Sequence, residues 1–292
     1  MTMRLTPYTP GDFERMHAPG CHFLGSSFVP ALVLPVEKRP KWMNSPYARA
    51  LDMLGQRPLP PLDEEFLRRG RLLEHTLVAT LQDEGVDASR CAAYAQHERD
   101  ERWIASPDYL IGEDIIGEGK CPTDWEQWHD GPPLFVQLQN VWQMGCAGTD
   151  RGQISALFVD KFSLKVTVWE NPLHKPALRL METEAAKFLD LVGAGKTPDP
   201  DASLSSYRAL QDVMPVDRGE EITIGGQEAV ERLLAWTQAR LDRLAAEKIE
   251  DAAKYYFASR GGEAGVIHTD NGSVSRIKVE PKDKSPYFKW SM

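Results

Sequence analysis

Apolar residues recur three or four positions apart over residues 64–83, a spacing typical of a helix that buries one face. The residues that share this face are Phe66, Leu73, Leu77 and Leu81. Asp63 stands where a helix N-cap is favoured, and Gly85 is expected to stop the helix. Similar patterns predict further helices over residues 47–54, 134–144, 176–192 and 226–257.

The pattern changes to alternation after residue 107. Residues 108–112 and 115–120 flank a Gly-Glu-Asp turn and predict a β-hairpin. Residues 154–159 and 164–169 predict two more strands. Strands interleaved with helices indicate an α/β core over about residues 20–195.

A run of helix-breaking residues, Gly193–Asp201, predicts a boundary between two parts of the chain. We therefore expect a first domain over residues 1–198 and a C-terminal extension over residues 199–292. The extension combines the long amphipathic helix with a hairpin centred on Asn271-Gly272. We expect this helix to pack against the core or against another subunit.

Composition narrows the class of protein. The chain has 292 residues, of which 42% are hydrophobic, and its formal net charge is −9. This charge argues against sequence-blind adhesion to nucleic acid, although not against a nucleic-acid enzyme with acidic metal ligands. Its apolar runs are too short for a membrane span and its N-terminus lacks a signal region, so we expect a cytoplasmic protein. Its four cysteines form no C-x-x-C pair, which argues against a zinc ribbon or an iron–sulfur cluster.

The predicted hairpin carries the candidate chemistry. A three-residue turn at 112–114 places Asp108 opposite Glu118, and cross-strand Cβ atoms lie about 5 Å apart. Two carboxylates this close repel each other unless a cation such as Mg²⁺ or Mn²⁺ lies between them. Lys120 points to the same face, where its amine can orient a metal-bound water or accept its proton. The alternative is a solvated hairpin whose charges face water.

Two further features favour the metal site. Glu74 lies at the inward edge of its helix, where an ionised carboxylate needs a partner. The predicted helix 134–144, opened by two prolines, carries three glutamines among apolar residues.

The order of these motifs resembles the phage recombination exonucleases of the YqaJ and lambda exonuclease type, which belong to the PD-(D/E)xK nuclease superfamily. The resemblance covers about residues 20–200. The matching stretches are Phe23-Leu-Gly-Ser-Ser27, Asn44-Ser-Pro-Tyr47, Gly70-Arg-Leu-Leu-Glu74, Ser106-Pro-Asp108, Glu118-Gly-Lys120-Cys-Pro122, Gln137-Leu-Gln139 and the run from Phe188 to Pro198.

The resemblance implies a mixed β-sheet flanked by helices and a role for each matching residue. The implied metal ligands are Asp108, Glu118, the backbone carbonyl of Gly119 and, through water or a second metal, Glu74. Lys120 would serve the attacking water, and Gln137 would orient the lysine or the nucleophile. Ser27 and Ser106 match positions that contact a terminal 5′-phosphate. The family's arginine shortly before the first serine has no counterpart, because Gly20-Cys21-His22 occupies that stretch.

The implied function is a Mg²⁺-dependent deoxyribonuclease, with Mn²⁺ able to substitute, that resects double-stranded DNA ends from 5′ to 3′. Its single-stranded product would pass to a single-strand annealing protein in phage-type homologous recombination. The resemblance also implies assembly into a ring, commonly a trimer, and no membrane partner. Two alternatives stay open: a structure- or sequence-specific endonuclease on the same core, and a catalytically silent DNA-binding subunit.

Overall fold

The computed structural model describes residues 3–9, 11–17, 21–57, 64–123, 125–159, 163–214, 223–261, 266–269, 272–279 and 287–291. The chain divides into two compact units, residues 1–216 and 217–292. The expected functional boundary after residue 198 stays a prediction.

The first unit alternates short strands with helices, as the sequence pattern indicates. Its strands are β1 (Leu5–Pro7), β2 (Ala88–Arg90), β3 (Ala93–Gln96), β4 (Ile104–Ala105), β5 (Tyr109–Ile111), β6 (Ile115–Lys120), β7 (Arg151–Val159) and β8 (Leu164–Glu170). Its helices are α1 (Asp12–His17), α2 (Pro46–Met53), α3 (Glu64–Asp83), α4 (Leu134–Ala147), α5 (Lys175–Gly193) and α6 (Leu204–Val213). Each helix predicted in this unit is present, whereas β1 to β4 were not predicted. Asp63 and the side chain of Phe66 lie outside the described residues.

A five-stranded mixed sheet forms the centre of the first unit, in the order β2-β5-β6-β7-β8. Neighbouring strands are antiparallel except β6 and β7, which are parallel. A parallel pair requires a crossover connection, and α4 lies within it. A second sheet, of three strands, has the order β1-β3-β4. The predicted α/β class is confirmed.

The hairpin β5–β6 has the predicted register. Tyr109 pairs with Gly117 and Ile111 pairs with Ile115, so the turn contains three residues. Gly117 has to be glycine, because a Cβ atom there would lie 2.1 Å from the ring of Tyr109. The close approach packs the tyrosine ring flat across its neighbouring strand.

Helices cover both faces of the large sheet. On one face, α3 contributes Leu77 and Leu81 to a buried cluster that includes Tyr109 and Leu157. On the other face lies α4, which begins after Pro133 and ends at Gly148. Almost every residue of α4 after Leu138 is buried, including Trp142. A helix that is buried all round has to find partners for its polar side chains inside the protein.

The second unit contains α7 (Gln227–Gly261) and three strands, β9 (Val266–Thr269), β10 (Gly272–Val279) and β11 (Tyr287–Ser291), in the order β11-β10-β9. The predicted long helix is confirmed. Its apolar residues Val230, Leu233, Leu234, Leu241 and Ile249 are each more than half exposed. Thr269 pairs with Gly272, as a tight hairpin requires, although Asn271 lies outside the described residues. Within the described part of the chain, no helix is both long and apolar enough to cross a bilayer.

Candidate active site

The hairpin brings the carboxylates of Asp108 and Glu118 close enough for the charge of Glu118 to act on Asp108. Asp108 immediately precedes β5, and its backbone N–H donates to the carbonyl of Gly117 at 3.1 Å. The paired residues of the hairpin begin at Tyr109 and Gly117, so Asp108 lies just before the first pair. The carboxylate of Asp108 bends over β6, where its Oδ2 accepts a 2.7 Å hydrogen bond from the N–H of Gly119.

Glu118 is the buried member of the pair, with 1% of its surface exposed. The ammonium of Lys120 donates to Oε1 of Glu118. The side-chain amide of Gln143, on α4, donates to Oε2 at 2.5 Å. Both carboxylate oxygens therefore have a donor, which compensates for the loss of water around the charge.

The charges of this group are unbalanced. Loss of water around Asp108 raises its pKa well above the ordinary value, and the neighbouring charge of Glu118 raises it further. Burial by itself would lower the pKa of Lys120, but the charges of Glu118 and Asp108 outweigh it and raise that pKa. Two carboxylates thus share one ammonium. The surplus negative charge is what a divalent cation neutralises.

The donor set suits a hard cation. Carboxylate and carbonyl oxygens are the ligands that Mg²⁺ prefers, and the hairpin supplies two carboxylates beside the backbone of Gly119. Among the residues that the structure describes, no group of three or more His, Cys, Asp or Glu side chains is arranged to hold a metal ion. A cation here would therefore depend on Asp108, Glu118 and oxygens other than carboxylates.

Glu74, the third expected acid, lies on α3 and forms an ion pair with Arg90 at 3.1 Å. Its charge is close enough to contribute to the raised pKa of Asp108. The side chain is half-buried and does not join Asp108 and Glu118 in one cluster. Its role as a metal ligand stays a prediction.

The glutamine that reaches Glu118 is not the expected one. The side-chain amide of Gln137 donates to the carbonyl of Pro132 at 2.6 Å, at the start of its own helix. Gln143, which sequence reasoning missed as a site residue, contacts Glu118 instead. Gln143 could have been found from its place between Trp142 and Met144, because a polar side chain flanked by large apolar residues on a buried helix needs a buried partner. The expected role of Gln137 stays a prediction.

The two expected phosphate-contacting serines lie in different surroundings. Ser27 lines a cavity of about 300 Å³ together with Trp42, Asn44 and Arg49. The hydroxyl of Ser106 forms a hydrogen bond with that of Tyr8. The backbone carbonyl of Ser106 also accepts a long contact from Gln143, at 3.5 Å.

Two carboxylates and a lysine thus lie together at one hairpin of a mixed sheet that has helices on both faces. Two solved structures of LHK-Exo, an alkaline exonuclease from Laribacter hongkongensis, are similar to this chain. One is 20% identical with a TM-score of 0.48, and each comparison covers 62% of this chain and 93% of the exonuclease. The other, of LHK-Exo in complex with dAMP, is 21% identical with a TM-score of 0.50.

The second of these similarities shows that 62% of this chain shares the fold of that exonuclease. The fold expected from the resemblance to phage recombination exonucleases is therefore confirmed. No protein-family model matches the chain, and no curated protein matches it.

Proposed function

We propose that this protein is a Mg²⁺-dependent deoxyribonuclease that resects the 5′-ended strand of double-stranded DNA. The observation that carries the proposal is the group of Asp108, Glu118 and Lys120, in which two carboxylates share one ammonium. A structural ion pair gains nothing from a second carboxylate, whereas a cation site needs the surplus charge. The exonuclease fold of the first unit supports the same activity.

Asp108, Glu118 and the backbone carbonyl of Gly119 would hold the cation. When bound, Mg²⁺, or Mn²⁺ in its place, supplies charge that polarises the scissile phosphate and lowers the pKa of a bound water. Glu74 would add a more distant carboxylate from α3. These assignments follow from the oxygen donors on the hairpin and from the resemblance of its motifs to the nuclease family.

Side chains of the protein would orient the attacking water and the carboxylate of Glu118. The Lys120 ammonium donates to Glu118, and its charge also acts on Asp108, so its N–H groups can direct a water towards a phosphate bound at the acid pair. Gln143 keeps the other oxygen of Glu118 in place. Gln137 would act from the start of the same helix.

The cavity beside Ser27 is the candidate site for the end of the DNA. Arg49 on α2 lines it and supplies a cation that the sequence lacks at the family's expected position, while Trp42, which is 65% exposed, can stack on a base. Ser106 would contact the phosphate from the side of the hairpin. LHK-Exo has been solved with dAMP, which supports a nucleotide ligand for this fold.

The wider role follows from the resemblance. The single strand left by resection would pass to a single-strand annealing protein during phage-type recombination, and the enzyme would work as a ring, commonly a trimer. We also propose a cytoplasmic location. It agrees with the four free thiols of the chain, since the cytoplasm is reducing; these are Cys21, Cys91, Cys121 and Cys146.

Cleavage of matched linear and closed circular duplexes tests the proposal. With Mg²⁺, we expect loss of the linear DNA, release of nucleotides from a labelled 5′ end, and no nicking of the circle. Without Mg²⁺ neither DNA should be cut. Cutting of the circle would establish the endonuclease alternative instead, and binding without cleavage would establish a silent DNA-binding subunit.

A further inference from the structure

A chain of buried amides leads from the end of β8 to the acid pair. The Asn171 amide donates to Oδ1 of Asn140 at 3.0 Å. The amide of Asn140 donates to Oε1 of Gln143 at 3.1 Å, and Gln143 donates to Glu118 at 2.5 Å. Asn140 and Gln143 have no exposed surface, and Asn171 has 9%. We call Asn171, Asn140 and Gln143 the amide relay.

The relay has one hydrogen-bond direction. An ionised carboxylate only accepts hydrogen bonds, so Gln143 has to present its NH₂ group to Glu118. Its oxygen then faces Asn140, which has to donate, and the oxygen of Asn140 faces Asn171, which has to donate in turn. Because the relay is buried, no bulk water replaces a missing member, and each amide fixes the orientation of the next.

Backbone carbonyls of β6 and α4 hold the relay in place, and a glycine on β7 leaves room for it. Asn140 also donates to the carbonyl of Ile116 on β6 at 3.3 Å. Asn171 also donates to the carbonyl of Gln137 on α4 at 3.1 Å. Gly152 on β7 leaves room for these contacts, since a Cβ atom there would lie 2.3 Å from Oδ1 of Asn140. Any larger residue at position 152 would therefore displace the side chain of Asn140 from the relay.

We propose that Asn140 and Asn171 are positioning residues that hold Glu118, through Gln143, in the orientation that binds a divalent cation. This inference rests on the proposed function. Neither asparagine contacts Glu118, so each acts through the glutamine. Direct partners of a metal ligand, as Gln143 would be, typically change metal affinity or activity by about 10–100-fold when they are removed. We expect residues that act through such a partner to lie at the lower end of this range.

The test is binding of Mn²⁺ to the full chain without DNA, measured by calorimetry and by the loss of the free Mn²⁺ electron-spin signal. We expect Asn171→Ala to raise the Mn²⁺ dissociation constant about 10-fold. In cleavage, the Mg²⁺ concentration for half-maximal rate should rise, and the rate at saturating Mg²⁺ should recover. Gln143→Ala should weaken binding as well, and adding Asn171→Ala to it should weaken binding no further.

Ser206→Ala provides the matched control. Ser206 is fully buried and joins a separate polar network, in which its hydroxyl donates to Asp201 at 2.7 Å and lies 2.9 Å from the hydroxyl of Ser45. The Ser206→Ala substitution should lower the stability of the protein and leave its affinity for Mn²⁺ unchanged. Asn140→Ala is a second variant of the relay, but Asn171→Ala is the safer one because it lies at the edge of the buried region.

An unchanged Mn²⁺ affinity in folded Asn171→Ala would overturn the inference, and so would an equal loss in Ser206→Ala. Either result with a wild type that binds Mn²⁺ and cleaves DNA would leave the proposed function intact. A wild type that neither binds Mn²⁺ nor cleaves DNA would overturn the proposed function and this inference together.

Discussion

Two glutamates of the first unit are buried beside a basic side chain, and their surroundings differ in charge. Glu182, on α5, accepts from Arg99 at 2.7 Å and lies 3.1 Å from Nε2 of His97. Glu118 has Lys120 as its partner and also has Asp108 as a neighbour. At the first place one arginine, with a histidine whose pKa is lowered by burial, meets one carboxylate. At the second place one ammonium meets two carboxylates.

The comparison separates a structural ion pair from a binding site. At Glu182 the negative charge is fully compensated by groups of the protein, so burial there is compatible with a stable fold. At Glu118 the compensation is incomplete: burial raises the pKa of the neighbouring Asp108, and the charge of Glu118 raises it further. Burial of a carboxylate is common to both places, and it is the balance of charge around it that distinguishes the candidate site.

The largest expected effect is on cleavage. Lys120→Ala should slow cleavage of linear duplex DNA about 10³-fold, because positioned groups that serve the attacking water contribute on this scale. Arg99→Ala removes the cation beside the other glutamate and should cleave at the wild-type rate. Initial rates with a 5′-labelled duplex measure both. Wild-type cleavage by Lys120→Ala would mean that the site is misassigned.

The next effect is on stability, where we expect a substitution at Glu182 to have a larger effect than one at Glu118. Glu182→Ala leaves the buried Nε2 of His97 without its partner and should lower the free energy of unfolding by about 2 kcal/mol. Glu118→Gln should cost less, since it also removes the repulsion with Asp108. Urea denaturation followed by circular dichroism compares the two variants. Equal losses would contradict a difference in charge balance.

A smaller effect concerns the cation itself. Mg²⁺ at ten times its dissociation constant should raise the free energy of unfolding of the wild type by about 1.4 kcal/mol. Asp108→Asn should abolish the rise, whereas Glu182→Gln should keep it. Thermal denaturation with and without MgCl₂, at matched ionic strength, measures this. Stabilisation that persists in Asp108→Asn would place the cation elsewhere.

The smallest effect is a pH dependence at the structural pair. Burial lowers the pKa of His97 below its ordinary value of 6.5, and the charges of Arg4 and Arg99 add to this, while Glu182 and Glu98 oppose it. A lowered folded-state pKa gives stability that is present above pH 6.5 and is lost as the pH falls through the folded-state value. Unfolding free energies at pH 8 and pH 5.5 should therefore differ less in His97→Gln than in the wild type. Identical pH dependence in the two proteins would exclude His97 as the cause.

Much of the hairpin could be predicted because it is local. The turn at 112–114 determines which residues lie opposite one another, so the pairing of residues 109–111 with residues 115–117 follows from counting along the chain. Long helices were predictable for the same reason, since one apolar face repeats over many residues. Strands of two to four residues, such as β4, contain too few alternations to be recognised.

The partners of the acids depend on distant parts of the chain and could not be predicted. Three glutamines lie on one helix, and only the packing of α4 over β6 decides that Gln143 meets Glu118. Gln137 and Gln143 are six residues apart, so they point in different directions around the helix. Arg90 likewise comes to Glu74 from a strand that no pattern indicated.

The parallel pairing of β6 with β7 has a consequence for how the chain folds. Asp108 and Glu118 are brought together by ten residues of contiguous chain, so this contact can form early during synthesis. The strand that flanks Glu118 on its other side begins only at Arg151, after the whole of α4. Until that crossover is made the acid pair faces water, where repulsion between the two carboxylates is weak. We therefore expect the repulsion within the acid pair to become strong only when α4 and β7 cover Glu118.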